Sequence, residues 1–267
     1  MSEPNILLTN DDGIQSPGLW SAAEALDSLG FVTVVAPREQ ASGSGRSMPS
    51  TSDGRIEEES VTVNDKTWTV HAVGGTPAQA VLHGVLEICP QTPDVVVSGI
   101  NYGLNVGTGV TVSGTVGAAL EAGASDIPAL AISLDTDHKY HLSYSTQVDF
   151  NTAAHFTHYF AELLLTKELP ADVKVLKVEI PSTATPDTPW KITRLSPVRY
   201  YTAVPPERES NDKEGNIGYR VADDWHTAPP DSDIHAVHME KVVSVTPLSL
   251  DLTSRVELKE LEQRLKS

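Results

Sequence analysis

The chain has 267 residues, a single cysteine, and 36 Asp and Glu against 19 Lys and Arg, for a formal charge of −17 with neutral histidines. That length holds one large α/β domain with an elaboration, or two modest domains. The lone Cys89 excludes an intrachain disulfide and a cysteine metal cluster. The acidic balance argues against a nucleic-acid polymer as partner, although a small anion is admissible where a pocket or a cation reverses the local field. The N-terminus, MSEPNILLTNDDG, lacks the basic start and long apolar run of a secretion signal, and no run of 18 apolar residues occurs. Cytoplasmic residence without a membrane span is the expectation.

Residues 5–9 are a short apolar run ending in Asn10-Asp11-Asp12-Gly13, read as a buried strand entering a polar turn. Ser16 as N-cap, Pro17 at the first helical position and apolar Leu19, Ala22, Ala23, Leu26 and Leu29 predict a helix closed by Gly30, and 31–36 predicts a second strand. A long polar loop follows, then strand-like segments near 56–63 and 67–73 about the turn Asn64-Asp65, a marginal hairpin. Thr76, Pro77 and Gln79 form a capping-box start for a helix reaching about Ile88. Strands are expected at 93–99, 129–134 and 173–181, with helices at 115–121 and 148–166. The alternation implies a largely parallel sheet covered on both faces.

Periodicity weakens after Pro181. Residues 182–233 are proline-rich and read as an extended arm or hairpin, 242–248 as a return strand, and 254–267 as a helix with Leu258, Leu261 and Leu265 on one face. The expected organisation is a Rossmann-like three-layer α/β/α catalytic domain over 1–181, an oligomerisation arm over 182–241, and a return strand with terminal helix over 242–267.

Asp11 and Asp12 stand just beyond the first strand, where open α/β sheets place their ligand crevice. Adjacent carboxylates there repel each other unless a cation or donors compensate, which a divalent metal would do; the plain alternative is a turn whose side chains cap local amides. Ser42 and Asn101, on loops after later strands, add neutral oxygens, and together the four describe a hard-ion site for Mg²⁺ or Mn²⁺. The glycine-rich stretch from Ser98 runs into Ser113-Gly114-Thr115 at a helix start, where free amides suit phosphate oxygens; the glycines could equally serve sharp turns with Ser113 as a cap. Neither a Walker loop, nor GxGxxG after the first strand, nor HExxH, nor a GxSxG elbow is present. His155 and His158 fall on a solvated helix face, and His235 and His238 on opposite faces of a possible strand. Tyr102 is the aromatic residue best placed for a base, with Trp190, Tyr200 and Tyr201 read as arm or interface packing and Tyr219 and Trp225 ambiguous.

The ordered motifs ILLTNDDGIQSPG at 6–18, VVAP with ASGSG at 34–45, GGTPAQAV at 74–81, PDVVVSGINYGLNVG with SGTVGAALE through 121, IPALAIS at 127–133 and SVTPLSLDLT at 244–253 resemble the SurE stationary-phase survival family. The resemblance covers most of the α/β core and is poor between about 182 and 230. It implies a metal-dependent 5'-nucleotidase acting on nucleoside monophosphates, with Asp11, Asp12, Ser42 and Asn101 as metal ligands and Gly43 and Ser113-Gly114-Thr115 on the phosphate side. Asn10 is expected to help stabilise developing charge. Arg38, Gly109, Val112 and Ala122 depart from the residues the family commonly has. The family's dimers with exchanged C-terminal elements imply a homodimer or larger even-numbered oligomer. Two rival readings are a broad phosphomonoesterase or exopolyphosphatase, and a nucleotide-binding sensor without turnover.

Overall fold

The computed structural model describes residues 3–267. In chain order the strands are β1 (Asn5–Thr9), β2 (Phe31–Pro37), β3 (Ile56–Val63), β4 (Lys66–Val73), β5 (Val95–Tyr102), β6 (Ala129–Leu134), β7 (Val175–Ile180), β8 (Trp190–Ile192), β9 (Tyr201–Val204), β10 (Gly218–Val221) and β11 (Val243–Leu248). The helices are α1 (Pro17–Leu26), α2 (Pro77–His83), α3 (Gly114–Ala124), α4 (Asn151–Thr166), α5 (Asp233–His235) and α6 (Leu258–Lys266). Among the described residues no helix is long and apolar enough to cross a membrane.

Nine strands form one sheet in the order β3-β4-β2-β1-β5-β6-β7-β11-β8, antiparallel only at β3–β4 and β7–β11. The fold is the expected layered α/β architecture. Alternation along β1 sends Ile6 and Leu8 to one face, where they pack with Leu19 and Leu26 of α1 and Phe156 and Phe160 of α4. It sends Leu7 to the other face, against Val81 of α2 and Val116 and Ala119 of α3. Burying each such large side chain stabilises the fold by about 1.5–3 kcal/mol. A third apolar cluster joins Leu104 and Val106 to Tyr200, Ile234 and Val237, tying the glycine-rich loop to the C-terminal segment.

Several local expectations differ. Ser16 occupies the N-cap position of α1, yet its hydroxyl is buried without a partner, and Pro17 carries the start instead. The Thr76–Gln79 capping box is present, with reciprocal bonds of 3.2 and 3.0 Å. The third core strand continues to Tyr102, so Asn101 stands within β5 rather than on a loop beyond it. A register shift between Ser98 and Asn101 re-aims that strand end. His235 and His238 lie on a helical turn rather than a strand, because the 233–240 backbone closes helical bonds. Within the proline-rich stretch, β8 joins the sheet edge beside β11, and β9 and β10 pair as a separate hairpin.

Candidate active site

The strand order reverses direction at β1: β2 lies to one side and β5 to the other. The carboxyl ends of these parallel strands open there into the crevice that α/β sheets offer to ligands. Asp11 and Asp12 leave β1, Ser42 and Gly43 sit on the loop after β2, and Asn101 is the last residue but one of β5. Asp11, Ser42, Gly43, Asn101 and Ser113 border one cavity of about 740 Å³. Backbone bonds pin the Ser42 loop in place, from Ala41 N–H to the Asp11 carbonyl at 2.7 Å and from Gly45 N–H to the Val112 carbonyl at 3.0 Å.

Both carboxylates are buried, at 5% and 2% exposure, and no Lys or Arg among the described residues pairs with either. Burial pushes the Asp11 carboxyl up, against the lowering effect of the Thr115 hydroxyl and nearby amides. Burial and then repulsion from Asp11 push Asp12 well above the ordinary carboxylate range. What holds Asp12 is Gln40 Nε2, donating to Oδ1 at 3.0 Å, and the Tyr102 amide, donating to Oδ2 at 3.4 Å. The Asn101 amide nitrogen donates to the carbonyls of Gly103 at 2.6 Å and Tyr102 at 3.3 Å, which leaves Oδ1 as the group free to ligate. Close by, the Ser44 hydroxyl is buried with no partner.

Two desolvated, mutually repelling carboxylates beside neutral amide and hydroxyl oxygens fit a hard divalent cation, whose charge would reverse the upward shifts. Among the described residues no three His, Cys, Asp or Glu converge as a metal site. Two acids with two neutral oxygens make an all-oxygen set, unlike the nitrogen and sulfur sets common for zinc.

The other expected residues divide. Asn10 has its carboxamide committed to Gly13, donating to the carbonyl at 3.0 Å and accepting from the amide at 3.1 Å, so it shapes the turn rather than facing the cavity. Ser113 caps α3 by accepting from Val116 N–H at 3.1 Å and also borders the cavity. Thr115 is fully buried and donates to Asp11 Oδ1 at 2.5 Å; its side chain serves the carboxylate and not a phosphate. Gly114 lies tight against Asp11, where a Cβ would approach the Asp11 Cβ to 2.7 Å.

Tyr102 borders the cavity, but its ring and hydroxyl are engaged by neighbours. Its ring packs edge-on against Phe150 at 4.9 Å, its hydroxyl donates to the Ser145 carbonyl at 2.9 Å, and only 3% of the residue is exposed. Tyr201 and Tyr219 of the β9–β10 hairpin, packed edge-to-face at 5.3 Å, and His141 also border the cavity. The His141 Nδ1 is 3.2 Å from the Tyr219 hydroxyl, and Nε2 is 3.2 Å from the Thr136 carbonyl. In the neutral ring those partners put the proton on Nε2, and burial holds the imidazole pKa below its ordinary value. Gln40, His141 and the hairpin tyrosines carry no motif spacing. Only the position of Gln40 on the loop before ASGSG could have pointed to it.

Arg38, one of the departures from the resembled pattern, is paired with Glu57 and with Asp53 at 3.3 Å, off the cavity. Gly109 and Val112, two others, border it.

A family model described as Survival protein SurE matches residues 6–202. A protein of Thermococcus gammatolerans named 5'-nucleotidase SurE is 42% identical over 97% of this chain and 95% of its own length. A Thermococcus kodakarensis protein of the same name is 40% identical over 97% and 98%. The crystal structure of the SurE protein from Aquifex aeolicus aligns with a TM-score of 0.73 and 32% identity, covering 99% of this chain and 100% of that one.

Proposed function

This chain belongs to the SurE family, and we propose that it is a metal-dependent 5'-nucleotidase, hydrolysing nucleoside 5'-monophosphates to nucleoside and phosphate. The observation that carries the reading is the buried carboxylate pair at the strand-order reversal, with no Lys or Arg partner among the described residues, whose Asp11 borders a cavity of about 740 Å³ together with neutral oxygens. Asp11, Asp12, Ser42 and Asn101 would hold one Mg²⁺ or Mn²⁺ per subunit. When bound, the ion supplies positive charge to phosphate oxygens and acidifies a water.

The chain's own residues divide the remaining work. Thr115 orients Asp11, while Gln40 and the Tyr102 amide orient Asp12. One of these carboxylates accepts a proton from the attacking water as its oxygen bonds to phosphorus, the P–O5' bond breaks, and that proton passes on to O5', leaving inorganic phosphate and the nucleoside hydroxyl. Ser113 and Gly43 front the phosphate end, and Asn10 keeps the 10–13 turn rigid. Tyr201 and Tyr219 offer π-faces to the base at the other end.

A broad phosphomonoesterase or exopolyphosphatase is the second reading, favoured by the open wall at Gly109, where a Cβ would meet nothing within 4 Å. A polyphosphate track calls for repeated cations, and the cavity wall carries one, Arg199. Aromatic recognition of a nucleoside therefore accounts better for the lining. Assembly as a homodimer or even-numbered oligomer with exchanged C-terminal elements belongs to the same reading. It is supported by α6, whose Leu258, Leu261 and Leu265 are 58%, 41% and 78% exposed.

The test is phosphate release from metal-stripped protein across nucleoside monophosphates, sugar phosphates and polyphosphate, with Mg²⁺ or Mn²⁺ restored separately. Release that depends on metal and is fastest for nucleotides supports the reading. Equal kcat/KM across the panel points to the broad phosphatase, and stoichiometric nucleotide binding without release points to a sensor.

A further inference from the structure

Away from the carboxylate pair, three ionisable side chains are completely buried together. Lys177 and Glu179 stand two residues apart on β7 and so share a face, and Asp233 comes from α5; none exposes side-chain surface. Lys177 Nζ lies 3.4 Å from Glu179 Oε1 and 3.1 Å from Asp233 Oδ2. One cation thus serves two carboxylates, and their remaining capacity goes to backbone. Asn105 N–H donates to Glu179 Oε2 at 2.8 Å, and Gly107 N–H donates to Asp233 Oδ2 at 2.9 Å. Asp233 Oδ1 accepts from Ser196 N–H and Ile234 N–H, each at 2.9 Å. The Ser133 hydroxyl accepts from Asn105 Nδ2 at 3.1 Å and donates to Glu179 Oε1 at 3.4 Å.

Such a cluster is a poor source of stability, because desolvation offsets the attraction and apolar side chains of similar volume hold a sheet as well. Apolar side chains cannot accept those four N–H groups. Three of the amides belong to the cavity's surroundings: Asn105 is on the wall itself, Gly107 follows it, and Ser196 opens the segment that carries Arg199 and Tyr201. The two segments also touch directly, since a Cβ on Gly107 would come within 2.6 Å of the Val198 carbonyl.

We infer that Lys177, Glu179 and Asp233 are positioning residues that set the nucleoside-side wall, fixing the glycine-rich loop and the base of the β9–β10 hairpin relative to the carboxylate end. The inference rests on the nucleotidase reading and assigns the cluster to nucleoside binding, not to phosphate chemistry.

Glu179→Gln and Asp233→Asn keep an acceptor and the side-chain shape while removing one charge. In folded variants, KM for nucleoside monophosphates should rise on the order of tenfold, through displaced contacts. Hydrolysis of para-nitrophenyl phosphate, which carries no nucleoside, and the metal activation constant should change by less than about twofold. Equal losses on both substrates, or no loss on nucleotides, would overturn the proposal. Amide hydrogen exchange on the wild-type protein tests it independently of variant folding: Asn105 and Gly107 should be as protected as β1, and fast exchange there would defeat it. Absence of nucleotide hydrolysis by the wild-type protein would defeat the nucleotidase reading and the proposal together, whereas a failed substrate split defeats the proposal alone.

Discussion

Thr115 donates its hydroxyl to Asp11 Oδ1 at 2.5 Å, so the first turn of the helix capped by Ser113 also aims the carboxylate that borders the cavity. Thr115→Val keeps the shape and deletes the donor. A hydrogen bond to a charged group contributes about 1.5–3 kcal/mol, so kcat/KM should fall about 10- to 100-fold, with weaker metal activation. Thr115→Ser should restore most of it. Metal titrations of phosphate release check this, and unchanged activity in the valine variant would remove Thr115 from the site.

Gly114 offers a case where helix propensity and site geometry oppose each other. Alanine favours a helix over glycine by about 1 kcal/mol. At this position its Cβ would lie 2.8 Å from Asp11 Oδ2 and 2.8 Å from Ser44 Oγ. Gly114→Ala should therefore fold and melt close to the wild-type temperature while losing most metal-dependent hydrolysis. Full activity in a folded Gly114→Ala protein would show that Asp11 can yield without consequence.

Asp12→Asn should have opposite effects on activity and on the stability of metal-stripped protein. Loss of an anionic ligand should lower kcat/KM at least about 100-fold. Burial and then the neighbouring Asp11 hold the Asp12 carboxyl well above its ordinary value of 3.8 in the fold. An acid whose folded pKa is raised stabilises fully below its unfolded pKa, and that contribution is lost as pH rises through the folded pKa. In chelator, the wild-type melting temperature should therefore drop over that window more than the variant's, with the two converging in acid. Parallel melting curves across pH would contradict the burial and repulsion described for this pair.

Tyr219→Ala removes a ring that borders the cavity, at a residue 37% exposed and hence dispensable to the core. Stacking of a base on an aromatic side chain contributes about 1–3 kcal/mol. KM for nucleotides should rise accordingly, with para-nitrophenyl phosphate unaffected. A Tyr219→Phe variant should behave like the wild type if the π-face is what matters, and a loss as large as that of alanine would instead assign the role to the hydroxyl bonded to His141.

Truncation after Asp251 removes α6, every residue of which is exposed. Light scattering should show the full-length protein as a dimer or larger even oligomer and the truncated chain as a smaller species. Phosphate release per subunit should survive, because the proposed ligands all lie within the first 101 residues. A monodisperse full-length monomer would end the assembly reading.

The carboxylate end of the site is legible in the sequence because each of its residues follows an apolar run, and in a parallel sheet the ends of such runs converge. Reading outward from strands therefore picks out Asp11, Ser42 and Asn101, which border one cavity, and Asp12 beside Asp11. The nucleoside side follows no such rule. Tyr219 reaches His141 across 78 positions of chain, through a hairpin whose exposed strands carry no burial pattern. Tyr102, at the end of β5, borders the cavity as its position suggests, while its ring packs on Phe150 and its hydroxyl bonds Ser145, partners that no spacing announces. Thr115 and Asn10 likewise stand in motif positions whose side chains are taken up by neighbours.

The family match stops at residue 202, inside β9, and β10 with Ile217, Gly218 and Tyr219 lies beyond it. Half of the hairpin facing the cavity thus lies outside the matched segment, in a two-stranded sheet separate from the one whose β1 leads into the acids. Two members of the family could agree at every oxygen around the phosphate and still sort nucleosides differently. Grafting residues 205–221 between relatives should then exchange base preference while leaving the response to metal with the recipient.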